Sequence, residues 1–314
     1  MTGEPAHPIY VRSLTKKYGQ SWAVRNVDLE VRQGEVLALL GPNGAGKTST
    51  VEILQGFRRA TSGDVRVLGA DPARGSRAWR ARLGVVPQTT GAFADLTVRE
   101  VVAHFAAFYP APLAPDEVLE MVGLSDQRRK QSDQLSGGQR RRLDVAVGVV
   151  GDPDLIFLDE PTTGLDPQAR REAWDLVTYF ADRGKTTLLT THYLDEAEQL
   201  ADRVAVMTAG RIVAVGTPDD IGGRATVPVE VSFGSAGDFA GALPSPVADR
   251  VLDSRIASDR VILHTQTPTA LMAALIDWAR SIGVEELPDL SIRRPTLEEV
   301  YLSLIENTSQ SEQG

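Results

Sequence analysis

No cysteine occurs anywhere in the 314 residues. Disulfides, thiolate nucleophiles and cysteine-ligated metals are therefore excluded at the outset. The four histidines, His7, His104, His192 and His264, show no metal-ligand spacing among them. Long hydrophobic runs are missing as well. Apolar stretches such as Val36–Leu40 and Leu155–Leu158 are of strand length, far below the roughly 18 residues that suggest a membrane span. Met1 to Pro8 lacks the apolar core of a signal peptide, so a cytoplasmic chain is expected. Any membrane process it serves would take its membrane part from another polypeptide. Positive charge is also in short supply. Lys and Arg total 33 against 42 Asp and Glu, a net charge of -9, which argues against a cationic nucleic-acid binder. The cluster Arg140–Arg142 reads as a solvated helix face with Asp144 as its counter-charge. No internal repeat is visible.

What is present is ordinary for a globular protein, with 42% hydrophobic and 24% charged residues. The length suffices for one sizeable core and a smaller second one. Val27, Leu29 and Val31 alternate with polar residues, as in a half-exposed strand, whereas Leu37–Leu40 and Leu155–Leu158 are continuous, as in strands buried on both faces. Between such runs lie amphipathic segments. In Pro167–Arg183, Ala169, Ala173, Leu176, Val177 and Phe180 share a helical face. Further strands are expected at Thr186–Thr191 and Val204–Thr208, and helices at Leu96–Tyr109 and Pro115–Val122. The pattern is α/β, with a largely parallel core sheet and an antiparallel flank from the N-terminal strands.

After Gly216 the composition changes. Thr217 to Pro228 holds two prolines and the pair Gly222–Gly223, and reads as a linker. Beyond it, strands at Val229–Phe233, Arg250–Leu252 and Val261–His264 and a helix at Pro268–Ile282 predict a small α+β domain. Thr296 and Glu299 form a capping box ahead of the stripe Leu297, Val300, Tyr301, Leu304 and Ile305. The expected division is 1–222, 223–306 and a disordered polar tail at 307–314.

GPNGAGKT, Gly41 to Thr48, follows a buried strand and opens a helix, the context a phosphate-binding loop requires. Its glycines let main-chain N–H groups turn onto phosphate oxygens, and the helix N-terminus adds a favourable dipole. Lys47 supplies a point charge for the β- and γ-phosphates and Thr48 a hydroxyl for Mg²⁺. LIFLDEP, Leu155 to Pro161, buries a strand and extrudes Asp159 at its C-terminal end. Asp159 can hold the Mg²⁺ shell, and Glu160 can polarise a water for attack on the γ-phosphate. LSGGQ, Leu135 to Gln139, stands at the start of a helix over Gln139–Val150, where Ser136 can cap and bare glycine backbone can approach an anion.

Phosphate loop, LSGGQ and LDEP in this order resemble the ABC ATPase family over most of residues 9–216. The resemblance implies an ATPase using ATP and Mg²⁺, with Gly41, Asn43, Gly44, Gly46, Lys47, Thr48 and Ser49 around the phosphates. It further implies that Tyr18 stacks on adenine and that Gln88, in GVVPQ, senses Mg²⁺ and the attacking water. By the same resemblance Asp166, in GLDP, communicates across a dimer, and His192 contacts the γ-phosphate as a switch. In the family, LSGGQ of one subunit (here Ser136, Gly138 and Gln139) closes over ATP held by another. With one motif set per chain, a homodimer with two composite sites is expected. The segment 89–150 corresponds to the helical subdomain that receives a separate transmembrane permease, although Val101, Phe105 and Phe108 can equally pack its own core. RPTLEEVYLSL, Arg294 to Leu304, is similar to the terminal motif of daunorubicin-resistance-type exporter ATPases, in which a small regulatory or dimer-stabilising domain follows. Related exporters move drugs, antibiotics, polysaccharides or lipids, from a position on the inner face of the cell membrane. The alternative is a non-transport ABC ATPase that regulates or acts on ribosomes or DNA. The paired cassettes or long coiled coil of those types are absent here.

Overall fold

The computed structural model describes residues 7–87, 93, 95–234, 243–257, 260–294 and 296–311. The chain divides into two compact units, Met1–Pro218 with Thr308–Gly314, and Asp219–Asn307.

The first unit opens with the strands β1 (Ile9–Tyr18), β2 (Ser21–Val31) and β3 (Val36–Leu40). Helix α1 (Lys47–Leu54), β4 (Ser62–Val67), the short α2 (Arg77–Arg80) and β5 (Leu83–Val86) follow. Three helices come next, α3 (Val98–Ala106), α4 (Pro115–Met121) and α5 (Gly137–Val149). The unit then alternates β6 (Leu155–Asp159), α6 (Pro167–Ala181), β7 (Thr186–Thr191), α7 (Leu194–Leu200), β8 (Arg203–Thr208) and β9 (Arg211–Gly216). Two sheets result. The antiparallel one runs β2-β1-β4 and the larger one β5-β6-β7-β3-β8-β9, parallel except for β9.

All five residues of β3 and all six of β7 are buried, as continuous apolar or hydroxyl-bearing runs in a two-sided sheet must be. Leu37 and Leu39 of β3 enter a core shared with Val11, Val27 and Val65 of the antiparallel sheet and with Val51 and Leu54 of α1. Trp79 closes this core and donates its indole N–H to the Val67 carbonyl at 2.7 Å. The parallel register sets Leu40 beside Thr191 and Asp159 beside Thr190, so three strands end together on one edge. Loops that follow such ends collect ligands.

Helices α3, α4 and α5 pack on one another. Thr97 and Glu100 cap α3 reciprocally, and Val98, Val101 and Val102 are buried. The expectation that Phe108 packs this core fails: it is 55% exposed, because α3 ends at Ala106 and the chain turns outward.

The second unit contains β10 (Val229–Gly234), α8 (Ser245–Ala248), β11 (Asp253–Ile256), β12 (Arg260–Thr265), α9 (Pro268–Ser281), β13 (Ser291–Arg293) and, as far as Asn307, α10 (Leu297–Ser311). Its antiparallel sheet is ordered β11-β12-β10-β13, and Val231, Phe233, Val261 and Leu263 pack against Leu271 and Leu275 of α9. Arg250–Leu252, expected as a strand, is instead the turn after α8, held by Arg250 N–H to Val247 O and Val251 N–H to Ala248 O. The strand starts at Asp253. The linker region carries a 3-10 segment at Ile221–Thr226, bent where Gly222 and Gly223 take positive φ. The Thr296–Glu299 capping box is formed, and α10 runs on to Ser311, past the start of the expected tail. Among the described residues no helix is long and apolar enough to cross a membrane.

Candidate active site

The loop after β3 is held from below. The N–H of Gly41 donates to Thr191 O, and that of Gly210 to Ala45 O. Gly46 takes φ +104°, and a Cβ there would lie 2.3 Å from the Ala23 carbonyl oxygen, so only glycine fits. Helix α1 begins directly after it with no side-chain cap, leaving its first amides to an anion. The buried Lys47 folds back over the loop, its ammonium donating to Gly41 O at 2.6 Å and Pro42 O at 3.3 Å. Burial pushes this ammonium below its ordinary value, against the opposing pull of Glu160 and Asp159. Asn43, Gly44 and Thr48 are exposed at the loop's rim.

Tyr18 ends β1 close to this helix, with its hydroxyl 3.4 Å from Ser49 Oγ. The residue is 40% exposed, and Lys16 Nζ and the Arg58 guanidinium stand 4.9 and 5.6 Å from the centre of its ring. An exposed aromatic face beside the phosphate loop suits a purine.

At the end of β6 the chain turns sharply. Glu160 adopts φ +44°, a left-handed backbone unusual for a non-glycine residue. Its carboxylate Oε1 lies 3.9 Å from Lys47 Nζ and 3.2 Å from His192 Nδ1, and its Oε2 accepts from Thr163 Oγ1 at 3.2 Å. The His192 contact is close in distance yet off hydrogen-bonding direction, so Nδ1 has no bonded partner. The imidazole stacks on Tyr193, centroids 4.1 Å apart. The structure thus gathers Lys47, Asp159, Glu160 and His192 at one sheet edge. Gln88 lies outside the described residues; its neighbour Pro87 follows β5 directly beside the end of β6.

The LSGGQ residues stand elsewhere. Ser136 Oγ accepts the Gln139 N–H at 3.3 Å, and the Gln139 side chain returns the bond to the Ser136 N–H at 3.2 Å. This capping box fixes the first turn of α5 and commits the Gln139 carbonyl oxygen. Asp166 caps α6, its Oδ1 accepting from Gln168 and Ala169 N–H at 3.0 Å each. Ser136, Gly138, Gln139 and Asp166 line one cleft of about 450 Å³, in which no residue of Gly41–Thr48 takes part.

Three residues that the sequence did not single out shape the site. Thr190 of β7 donates its hydroxyl to the Asp159 carboxylate, while its Oγ1 and carbonyl accept the Glu160 N–H at 3.1 and 3.0 Å. Glu196 is fully buried, bonded by Thr162 Oγ1 at 2.9 Å and Trp174 Nε1 at 3.3 Å. Burial drives its carboxyl upward, against hydrogen bonds from Thr191, Thr162 and Trp174. Arg141 overturns the reading of Arg140–Arg142 as a solvated face. It is 7% exposed, because α5 turns this position inward against the ends of β5 and β6.

A family model described as "ABC transporter" matches residues 24–163. The chain is 39% identical over 305 residues to the daunorubicin resistance ATP-binding protein DrrA3 of Streptomyces coeruleorubidus, covering 94% of this chain and 95% of that one. This protein belongs to the ABC transporter ATP-binding family. It is also 37% identical to a Nod factor export ATP-binding protein I of Cupriavidus pinatubonensis, across 94% of this chain and 89% of that one. A solved ATP-binding subunit of an ABC transporter superposes with a TM-score of 0.61 at 28% identity, covering 68% of this chain and 90% of that one. As an ABC ATPase the chain binds and hydrolyses ATP.

Proposed function

We propose that this ABC ATPase is the energising subunit of an exporter, acting in pairs on a separate membrane-spanning permease. One observation carries the pairing. Within a single chain the cleft lined by Ser136, Gly138, Gln139 and Asp166 includes no residue of the phosphate loop, so the signature of that chain does not close over its own loop. Two chains placed head to tail give each ATP a loop from one and a signature from the other. ATP favours the closed pair and hydrolysis releases it.

Within one such site, Tyr18 supports the adenine and the loop amides with Lys47 hold the phosphates. Glu160 accepts a proton from the attacking water, and His192 stands beside it to contact the γ-phosphate. The donor set fits Mg²⁺. Among the described residues no three His, Cys, Asp or Glu side chains cluster into a cage, whereas Mg²⁺ takes one or two protein oxygens and completes its shell with phosphate and water. Thr48 and Asp159 supply such hard oxygens, and Asp159 is aligned by Thr190. When bound, the ion neutralises charge developing on the phosphates. Gln88, next after Pro87, is assigned to the same shell.

The similarity to daunorubicin resistance and Nod factor export proteins supports an exporter of drug-like, antibiotic or lipid-like and polysaccharide cargo, at the inner face of the cell membrane. The acidic balance gives no footing for nucleic acid. Co-expression with a candidate permease in inverted vesicles tests this reading. ATP-driven daunorubicin uptake that disappears with Glu160→Gln supports it; uptake indifferent to that substitution contradicts it.

A further inference from the structure

Arg141 sits two residues beyond Gln139 on α5, and its guanidinium meets main-chain oxygens on three sides. Nε donates to Pro161 O at 2.8 Å, Nη1 to Pro87 O at 2.6 Å and Nη2 to Asp159 O at 3.1 Å. Asp144, one turn along the same helix, lies 3.8 Å from Nη1. Two of the three carbonyls therefore belong to the residues on either side of Glu160, and the third to the residue before Gln88.

Glu160 takes a left-handed backbone, φ +44°. Such a conformation persists only where its surroundings over-determine it. Thr190 holds the Glu160 N–H from β7, and Arg141 holds the flanking carbonyls from α5. A planar guanidinium can serve three carbonyls at once, whereas an ammonium on a flexible stem cannot reproduce that fork.

We propose that Arg141 is a positioning residue for ATP hydrolysis, fixing the peptide frame of Glu160 from the helix that carries the signature motif. It never touches the nucleotide. It ties the helix that closes over one ATP to the carboxylate that serves the other, so a shift of α5 is felt at Glu160. The proposal rests on the reading of Glu160 as the base that activates water.

The test is a double-mutant cycle on the full chain, with ATPase turnover and the Kd of a fluorescent ATP analogue as readouts. Arg141→Lys is expected to lower kcat about tenfold while leaving Kd within about twofold. Added to Glu160→Gln, the same substitution should lower the residual turnover by less than about twofold, since residues acting as a unit are not additive. Equal factors in both backgrounds, a parallel loss of nucleotide binding, or full turnover in Arg141→Lys would each overturn it. Full turnover in Glu160→Gln alone would instead remove the reading of Glu160 and this proposal with it. Arg141→Gln serves as the second variant; if thermal melting shows that neither variant folds, Arg141 is structural and the proposal fails.

Discussion

The Thr190 hydroxyl accepts the Glu160 N–H at 3.1 Å while donating its own proton to the Asp159 carboxylate. One side chain on β7 thus aligns both acidic residues at the end of β6. Thr190→Val keeps the shape and removes the hydroxyl, leaving a charged oxygen without its donor. A hydrogen bond to a charged group is worth about 1.5–3 kcal/mol, so kcat should fall roughly tenfold to hundredfold. Thr190→Ser should recover most of it. Equal losses in Val and Ser would show that the hydroxyl is not what matters. Steady-state ATPase assays decide between the two.

Glu196 predicts a pH dependence of stability. Its Oε1 is bonded by Thr162 and Trp174, and the side chain is wholly buried. Burial raises its pKa above the ordinary 4.5, and Asp195 adds to this. The folded state therefore holds a proton that the unfolded state releases, and this contribution is complete below about pH 4.5 and is lost as pH rises through the folded value. Glu196→Gln keeps the shape without the ionisation. Its melting temperature relative to wild type should climb from pH 5 to pH 8; a constant difference would contradict this.

Gly46→Ala tests the loop geometry. The new methyl group would stand 2.3 Å from the Ala23 carbonyl oxygen in a backbone region that L residues rarely adopt. The loop must shift, and ATP affinity should drop by at least about tenfold, or 1.4 kcal/mol, with the far-UV spectrum unchanged. Wild-type affinity, measured by titration calorimetry, would count against the cradle.

The two units have separate cores, one drawing on Leu37, Val51 and Phe157, the other on Val231, Leu263 and Leu275. A chain ending at Pro218 is expected to fold and to bind ATP within about threefold of the full chain. Its self-association should weaken if the second unit stabilises the pair. Loss of all nucleotide binding would contradict the division.

Much of this site is legible in the sequence because its motifs sit on elements with strong local signals. Leu37–Leu40 and Leu155–Leu158 are unbroken apolar runs, and the observed strands begin and end within a residue of them. Ser136 and Gln139, and Thr296 and Glu299, carry the spacing of the caps they form. What stays hidden is set by tertiary contacts. Arg141 is the middle of three arginines, and nothing local tells the one that turns inward from its neighbours. Thr190 is one hydroxyl in TTLLTT, and only pairing with β6 gives it two acidic partners. Strand β11 is exposed at all four residues, so no alternation marks it.

The measurement closest to the centre of this account is the oligomeric state of Glu160→Gln in saturating Mg-ATP, by size-exclusion chromatography with light scattering. Slowed hydrolysis should trap two chains around two nucleotides, giving twice the mass of the 33.9 kDa chain, and the dimer should dissociate when ATP is replaced by ADP. A strictly monomeric species under the same conditions would contradict the composite site.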